Sequence, residues 1–133
     1  MTNPFRDQEK FMKACDQQVD GSTQEQFDLY VNLIREEFKE LLVAQGFNDE
    51  GERVNTVDEE ETLDALLDIL VVTIGALHSR GYDAEGGWKE VMSTNFAKID
   101  KETGKVRKRE DGKVLKPVGW VAPNLAPFLK KHV

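Results

Sequence analysis

The chain has 133 residues, of which 39% are hydrophobic, a length and composition typical of one soluble domain with a core. Its single cysteine excludes an internal disulfide, and its two histidines argue against a zinc site built on Cys and His. Any metal is therefore expected to bind oxygen ligands, which favours Mg²⁺ or Mn²⁺. No run approaches 18 apolar residues and the N-terminus has no apolar signal segment, so we expect a cytoplasmic protein without a membrane partner.

The net charge of −7 is unevenly distributed along the chain. Residues 1–97 carry 8 basic and 21 acidic side chains, whereas residues 98–116 carry 8 basic and 4 acidic ones. An acidic body argues against general binding of nucleic acid, whose protein partners usually present a basic surface. The pattern fits a site in which acidic groups hold metal and basic groups hold a small polyanion. It fits equally well a basic segment that pairs with the acidic body or with a second copy.

The first part of the chain predicts two helices. Residues 5–19 have apolar side chains at loosely helical spacing, which indicates a first amphipathic helix. Ser22 or Thr23 can cap a longer second helix, from about residue 24 to residue 45, and Gly46 is a natural stop. The predicted core stripe of this second helix contains Phe27, Val31, Ile34, Phe38, Leu41 and Leu42.

The most apolar segment, residues 61–77, predicts a central helix that starts at Thr56 or Asp58 and ends near Gly81. One stripe of this helix contains Leu63, Leu67, Leu70, Ile74 and Leu77. The flanking residues are apolar too, so the pattern predicts a helix buried on nearly all sides. One four-helix chain does not easily cover such a helix, which makes a second copy a natural partner and predicts a homodimer or a homotetramer.

The remainder predicts a fourth helix and a short β-hairpin. The fourth helix covers residues 84–97, with the inward side chains Trp88, Val91, Met92 and Phe96. Two short alternating runs flank Asp111-Gly112 within residues 105–116, which is the strongest hairpin signal in the chain. Three prolines then stop regular structure, and the last stretch is expected to pack along the body or along a partner subunit.

The predicted fold is therefore all-α. We expect a single four-helix bundle-like domain over residues 1–133, with a helical core over about residues 5–98. A short C-terminal β-hairpin and an extended tail are expected over about residues 99–133.

Carboxylates occur at helical spacing on two of the predicted helices. Glu37 and Glu40 lie one turn apart on the second helix, and Glu61, Asp64 and Asp68 share a stripe of the central helix. A Glu-x-x-Glu pair is most often only a solvated face, and the helix dipole alone explains an acid in the first turn, as at Glu61. Neither explanation covers Asp64 and Asp68, which interrupt an apolar run. Because burying an unpaired carboxylate is costly, cations are predicted as their partners.

If the two helices are antiparallel, these four or five carboxylates converge and repel one another unless divalent cations neutralise them. Mg²⁺ takes octahedral oxygen ligands and is commonly shared with substrate phosphates. Such a metal can lower the pKa of a bound water and offset charge on a bridging phosphate oxygen. A spare carboxylate could orient or deprotonate that water.

Glu37-x-x-Glu40, followed after 20 intervening residues by Glu61-x-x-Asp64, resembles the Glu-x-x-Glu…Glu-x-x-Asp signature of the all-α nucleoside triphosphate pyrophosphohydrolases. These are the MazG-like and phosphoribosyl-ATP pyrophosphohydrolase-like proteins. Further segments resemble successive blocks of one branch of this superfamily: EEFKEL, DALLDILVVTIGAL, GYDAEGGWKEVMSTNFAK and DGKVLKPVGW. The resemblance covers residues 24–125.

The resemblance implies an Mg²⁺-dependent enzyme, with Mn²⁺ as a possible substitute, that hydrolyses the α–β bond of a nucleoside triphosphate. The implied metal ligands are Glu37, Glu40, Glu61 and Asp64, with Asp68 as a further ligand or a water-orienting catalytic group. In many relatives the motif aspartate directly precedes the apolar run, which here describes Asp68, so Asp64 and Asp68 both stay candidates. The implied substrate contacts are Asn95 and Lys98, with Lys113 and Lys116 on the phosphates.

Simpler interpretations stay open at several of these positions. Asn95 can serve as a helix cap, and Lys113 and Lys116 can simply protect a hairpin edge against aggregation. A phosphoribosyl-ATP pyrophosphohydrolase-type enzyme and a non-catalytic nucleotide- or metal-binding regulator are alternatives on the same scaffold. A purely structural helical module is the third, and the aspartates inside the apolar run argue against it.

Overall fold

The computed structural model describes residues 2–130, and the predicted tail beyond Lys130 lies outside the described residues. The described part is helical, and the chain divides into two compact units, one up to Tyr82 and one from Asp83 onward. The helices are α1 (Pro4–Ala14), α2 (Gln24–Ala44), α3 (Glu59–Ser79), α4 (Ala84–Phe96) and a short 3₁₀ turn (Ala126–Phe128). All four predicted helices are present, although α1 ends five residues earlier than its pattern predicted.

Side-chain caps fix where the helices begin. The side chains of Asn3, Thr23, Asp58 and Asp83 each accept a hydrogen bond from a backbone N–H in the first turn of the helix that follows. At the other end of α2, Gly46 has a φ of 80°, the left-handed conformation in which glycine is least strained. A Cβ on Gly46 would also approach the backbone carbon of Asn55 to 2.9 Å, so the turn requires glycine twice over.

The helices α2 and α3 are antiparallel and form the main packing contact of the first unit. The backbone N–H of Asp58 donates to the carbonyl of Ala44 at one end of the pair, and Gln26 donates to the Ser79 hydroxyl at the other. The core cluster at their contact consists of Met12, Val19, Tyr30, Val72 and Ala76. Met12 comes from α1, so burial of these side chains joins α1 to the helix pair and stabilises the unit.

The surface of α3 that faces this core is built from small residues. Ala65, Val72, Gly75, Ala76 and Ser79 are all buried. Gly75 lies directly against the ring of Tyr30, and a Cβ at this position would lie 2.7 Å from the Tyr30 Cζ atom. The close approach of the two helix backbones is therefore set by glycine on α3 and by tyrosine on α2.

The prediction that α3 is buried on nearly all sides is wrong for the single chain. Three members of its leucine stripe, Leu63, Leu67 and Leu70, face outward together with the adjacent Leu66, because the opposite, small-residue stripe packs more closely on α2. Of the other two members, Ile74 is buried and Leu77 is half-buried. On α2, Val31 and Phe38 are likewise exposed, whereas Tyr30 is buried. α3 does have the length and mean hydropathy of a membrane-crossing helix, a property it shares with core helices of soluble proteins, and Asp64 and Asp68 lie within it.

The structure does not show the predicted C-terminal hairpin as a pair of strands. Residues 2–130 contain isolated antiparallel bridges, Ile99 with Val106 and Lys108 with Val114, but no strand. The turn at Asp111-Gly112 does form, with the backbone N–H of Gly112 donating to the carbonyl of Arg109. Nearly every side chain of this segment is exposed, and a two-stranded ribbon without a buried face is marginal in water.

The second unit is organised around α4. The Trp120 indole N–H donates to the carbonyl of Thr94, and the Glu90 carboxylate accepts from the backbone N–H of Asn124. The ring of Phe128 lies against Gly86. The predicted inward positions Trp88 and Phe96 are instead 60% exposed, because the tail packs along a different side of the helix.

Candidate active site

The carboxylates lie on the mutually facing sides of α2 and α3, and the helix register explains why. Starting from the contact of Tyr30 with Gly75, a step of seven residues toward the middle of each antiparallel helix leads to Glu37 and Asp68. A step of seven is about two helical turns, so each residue stays on the inner face. The same packing stripe that buries small residues therefore also carries the acids.

Glu37 is the central residue of this cluster. It is half-buried, and its Oε2 atom is buried without a hydrogen-bond partner. Burial raises the pKa of the Glu37 carboxyl to about 7, helped by its hydrogen bond with Glu40 and by the negative charges of Glu40, Asp68 and Asp64. The raised pKa of Glu37 therefore reflects four carboxyl groups that lie close together.

Asp68 shows the same effect from the other helix. Burial raises its pKa, and the charges of Asp64 and Glu40, with a hydrogen bond to Asp64, add to the shift. The sequence left Asp64 and Asp68 as competing candidates, and both belong to the cluster. Asp68 is the more buried of the two, whereas Asp64 is exposed at the rim.

Glu61 lies further along α3, one more step of seven residues from Asp68. It lines a cleft of about 470 Å³ together with Glu40, Val43, Ala44 and Asp58 from the ends of the two helices. Lys39 also lines this cleft and was not singled out from the sequence. Because Glu40 belongs both to the Glu37 cluster and to this cleft, the five predicted acids form one continuous acidic surface.

The arrangement suits divalent cations held by oxygen. The orphaned Oε2 atom of Glu37 and the mutual repulsion of the carboxylates are both relieved when a cation binds. Within residues 2–130, no three Asp, Glu, His or Cys side chains already enclose a metal position. The side chains of Glu40, Glu61 and Asp64 are exposed, whereas those of Glu37 and Asp68 are half-buried at the helix contact.

The remaining predicted site residues lie in the second unit. The ammonium of Lys98 donates to the amide oxygen of Asn95 at 3.1 Å. Lys98 and Lys116 each lie about 5 Å from the ring centre of Trp120, at 5.0 Å and 4.9 Å. Lys113 is exposed after the turn at Gly112, where its backbone N–H donates to Asp111. Three of the four residues are therefore brought together, and Lys113 stands apart from them.

Sequence patterns missed two residues of these surroundings. His78 is only 2% exposed, and its Nε2 atom lies 2.8 Å from the carbonyl of Phe5, so it attaches α1 to α3. Trp120 makes ring contacts with two lysines. The spacing of Lys116 and Trp120 about Pro117-Val118, a sequence that favours a turn, was the available signal.

An all-helical chain with an acidic cluster between two antiparallel helices agrees with the resemblance to the all-α nucleotide pyrophosphohydrolases. The family model for phosphoribosyl-ATP pyrophosphohydrolase matches residues 6–95, which is more than half of the chain. The protein therefore belongs to that family, in the MazG-like nucleotide pyrophosphohydrolase superfamily, and the family supports a pyrophosphohydrolase activity. No match was found among curated proteins.

Proposed function

We propose that the protein hydrolyses the α–β phosphate bond of ribo- or deoxyribonucleoside triphosphates, releasing a monophosphate and pyrophosphate, with Mg²⁺ as cofactor and Mn²⁺ as a possible substitute. The observation that carries this proposal is the carboxylate cluster around Glu37, in a chain of the pyrophosphohydrolase family. Half-buried acids that raise one another's pKa cost stability, and such groups concentrate at functional sites.

The five acids divide into two kinds by burial. Glu40, Glu61 and Asp64 are exposed and carry negative charge toward solvent, which suits ligands that meet an incoming metal–nucleotide complex. Glu37 and Asp68 are more buried and have raised pKa values, which suits groups that hold a metal and accept a proton from an attacking water. Bound Mg²⁺ would lower the pKa of that water and offset negative charge on the phosphate oxygens.

The basic residues of the second unit are proposed to bind the substrate. Lys98 and Lys116 are ammonium groups without a carboxylate partner within residues 2–130, and Asn95 orients Lys98. Together they offer positive charge for the phosphates. Lys113, which is exposed and stands apart from these residues, stays a proposed phosphate contact.

A second candidate substrate is phosphoribosyl-ATP, and the description of the matching family favours it. Both substrates present the same triphosphate, and the chemistry at the acids is the same. A non-catalytic regulator would use the same acids to bind metal and nucleotide without turnover.

We also propose that the protein is a homodimer or a homotetramer. The exposed leucine stripe of α3 supports this, because a row of four half-exposed leucines in water is unfavourable and a second copy can cover it.

The test is to incubate the purified protein and Mg²⁺ with a panel of ribo- and deoxyribonucleoside triphosphates and phosphoribosyl-ATP, and to separate monophosphate from diphosphate products. We expect monophosphate and pyrophosphate from at least one nucleoside triphosphate, and we expect a chelator to abolish the reaction. Turnover of phosphoribosyl-ATP alone would assign the second candidate. Mg²⁺-dependent nucleotide binding without turnover of any substrate would contradict the proposed enzymatic activity and favour the non-catalytic regulator.

The Asp64→Asn variant links the reaction to the cluster. The substitution keeps the shape of the side chain and removes one negative charge, so we expect loss of turnover with an unchanged circular dichroism spectrum. Near-normal turnover in this variant would show that Asp64 is not a metal ligand.

A further inference from the structure

Trp120 occupies a position in the second unit that neither the sequence patterns nor the proposed reaction explains. We infer that Trp120 is a positioning residue, which holds Lys98 and Lys116 ready as a two-ammonium site for the phosphates of a di- or triphosphate group. Its role in turnover rests on the proposed function, whereas the binding of a polyphosphate anion does not.

The ring of Trp120 is itself held in place. Its indole N–H donates to the carbonyl of Thr94 at 2.8 Å, which ties the ring to the last turn of α4. On the chain side, the backbone N–H of Trp120 donates to the carbonyl of Pro117 at 3.1 Å, and this turn brings the ring back beside Lys116. Two independent hydrogen bonds therefore fix the ring before any ligand arrives.

The ring in turn gathers two positive charges. The Lys98 Nζ lies 5.0 Å from the ring centre and the Lys116 Nζ lies 4.9 Å from it, both within the range of a cation–π attraction. Since one ring is shared, the two ammonium groups lie at most twice that distance apart. Both lysines also line one cavity, so a single polyphosphate anion bound there can meet both of them.

Two ammonium groups near one ring repel each other, and nothing in the described residues neutralises them. Lys98 donates to the neutral amide oxygen of Asn95 at 3.1 Å, and neither lysine has a carboxylate within ion-pair distance in residues 2–130. The ring offsets only part of the repulsion, because its quadrupole carries no net charge. An anion with several negative oxygens would offset the rest.

A cavity is present where such an anion would bind. It has a volume of about 470 Å³ and is lined by both lysines together with Lys101 and Arg107. The lining also includes one carboxylate, Asp100, and this carboxylate is engaged by the Arg107 guanidinium at 3.5 Å and by two backbone N–H groups. The cavity therefore keeps an excess of positive charge at the Lys98 and Lys116 side.

The decisive experiment titrates the full chain with inorganic pyrophosphate in the presence of a chelator, so that the acidic cluster and any metal play no part. Binding is followed by calorimetry and by the fluorescence of Trp120 in a Trp88→Phe background. We expect binding that weakens steeply with added salt and a change in Trp120 emission on binding. In Trp120→Leu the affinity should fall by about fivefold to thirtyfold, the loss of two cation–π contacts.

Matched variants separate positioning from folding. Trp120→Phe keeps a ring face and loses only the hydrogen bond to Thr94, so it should recover part of the affinity that Trp120→Leu loses. Lys105→Gln removes an exposed lysine of the same segment that does not line the cavity, and it should bind pyrophosphate as the wild type does. Under turnover conditions, Trp120→Leu should raise KM for a nucleoside triphosphate and leave kcat within about twofold.

Three results would overturn the inference. They are no pyrophosphate binding by the wild type, equal binding by wild type and Trp120→Leu at matched circular dichroism, or an equal loss in Lys105→Gln. If the wild type binds pyrophosphate but turns over no triphosphate, the anion site stands and the proposed function fails. If it turns over triphosphate but Trp120→Leu leaves KM unchanged, the proposed function stands and Trp120 has no positioning role.

Discussion

The pKa values of carboxyl groups are shifted in opposite directions in the two units. In the first unit, burial and neighbouring carboxylates raise the pKa of Glu37 and of Asp68. In the second unit, backbone N–H groups of residues 102 and 103 lower the pKa of Asp100, and the Arg109 side chain lowers that of Asp111. The ionised forms of Asp100 and Asp111 are thus stabilised by neighbouring groups, whereas the ionised forms of Glu37 and Asp68 are disfavoured by theirs. Carboxyl groups of the second kind concentrate at functional sites, which supports the proposed metal site.

The largest expected effect on activity comes from replacing Glu37, the carboxyl group with the pKa of about 7. Glu37→Gln should lower kcat/KM by about 100-fold or more, because it removes a carboxylate at the centre of the cluster that we propose binds the metal. The matched control is Glu36→Gln, whose side chain is exposed and lies outside the cluster. The measurement is release of pyrophosphate at saturating Mg²⁺, with circular dichroism to verify the fold. Equal activity of the two variants would show that Glu37 in the cluster matters no more for activity than an exposed glutamate.

A packing pair compares the two units with the same substitution. Gly75→Ala places a methyl group 2.7 Å from the Tyr30 Cζ atom, so we expect a loss of about 1–3 kcal/mol in the free energy of unfolding. Gly87→Ala on α4 places its methyl 3.9 Å from the Phe128 Cβ atom, an ordinary contact. This second variant should be neutral or more stable by up to about 1 kcal/mol, because alanine favours a helix over glycine.

Chemical denaturation of both glycine variants gives the comparison directly. A Gly75→Ala protein as stable as the wild type would show that α2 and α3 are able to move apart without cost. In that case the close register that brings Glu37 to Asp68 would have no support from packing.

An oligomer test uses the exposed apolar side of α3. Leu67→Glu should convert the proposed homo-oligomer to a monomer. Leu67 is exposed in the single chain but would be buried at the interface, where a charge is costly. Val118→Glu in the second unit is the control, because Val118 is fully exposed and belongs to no helix. Analytical ultracentrifugation measures both. A wild-type protein that sediments as a monomer would contradict the proposal outright.

Helix positions could be predicted from the sequence because their signals are local. Asp58, Thr23 and Gly46 act at the ends of helices through their own hydrogen bonds or backbone conformation, and the structure confirms those ends. Asp64 and Asp68 could be singled out because charged residues inside an apolar run are conspicuous, whereas Glu37 was indicated only by the resemblance of its Glu-x-x-Glu motif to a known family. Their meeting across the helix pair follows from a register that the Tyr30–Gly75 contact fixes.

The facing sides of the helices could not be predicted by hydrophobicity alone. A leucine stripe has the stronger apolar signal, yet the stripe with Gly75 and Ala76 packs on α2, because small residues allow a closer approach of the backbones. The same limit applied to α4, where the exposed Trp88 was expected inside. The contact of Trp120 with Lys98 depends on the course of an irregular segment, for which residue spacing has no periodic signal.

The smallest expected effect is a change of apo-protein stability with pH, and it tests most closely the difference between the carboxyl groups of the two units. Because the folded-state pKa of Glu37 is raised from 4.5 to about 7, the folded protein binds a proton that the unfolded chain has released. The free energy of unfolding should therefore fall as pH rises from about 4.5 to about 7 and then level off. Asp68 contributes in the same direction. Asp100 and Asp111 act in the opposite direction, since their stabilisation is lost only as pH falls below their usual range.

Melting temperatures in a chelator across this pH range, for wild type and Glu37→Gln, measure the effect. The wild type should lose stability relative to Glu37→Gln as pH rises, because glutamine has no proton to release. Added Mg²⁺ should restore wild-type stability at pH 8 and have little effect on the variant. A difference between the two proteins that stays constant with pH would mean that Glu37 ionises as an ordinary surface acid, and the distinction between the two units would then rest on charge alone.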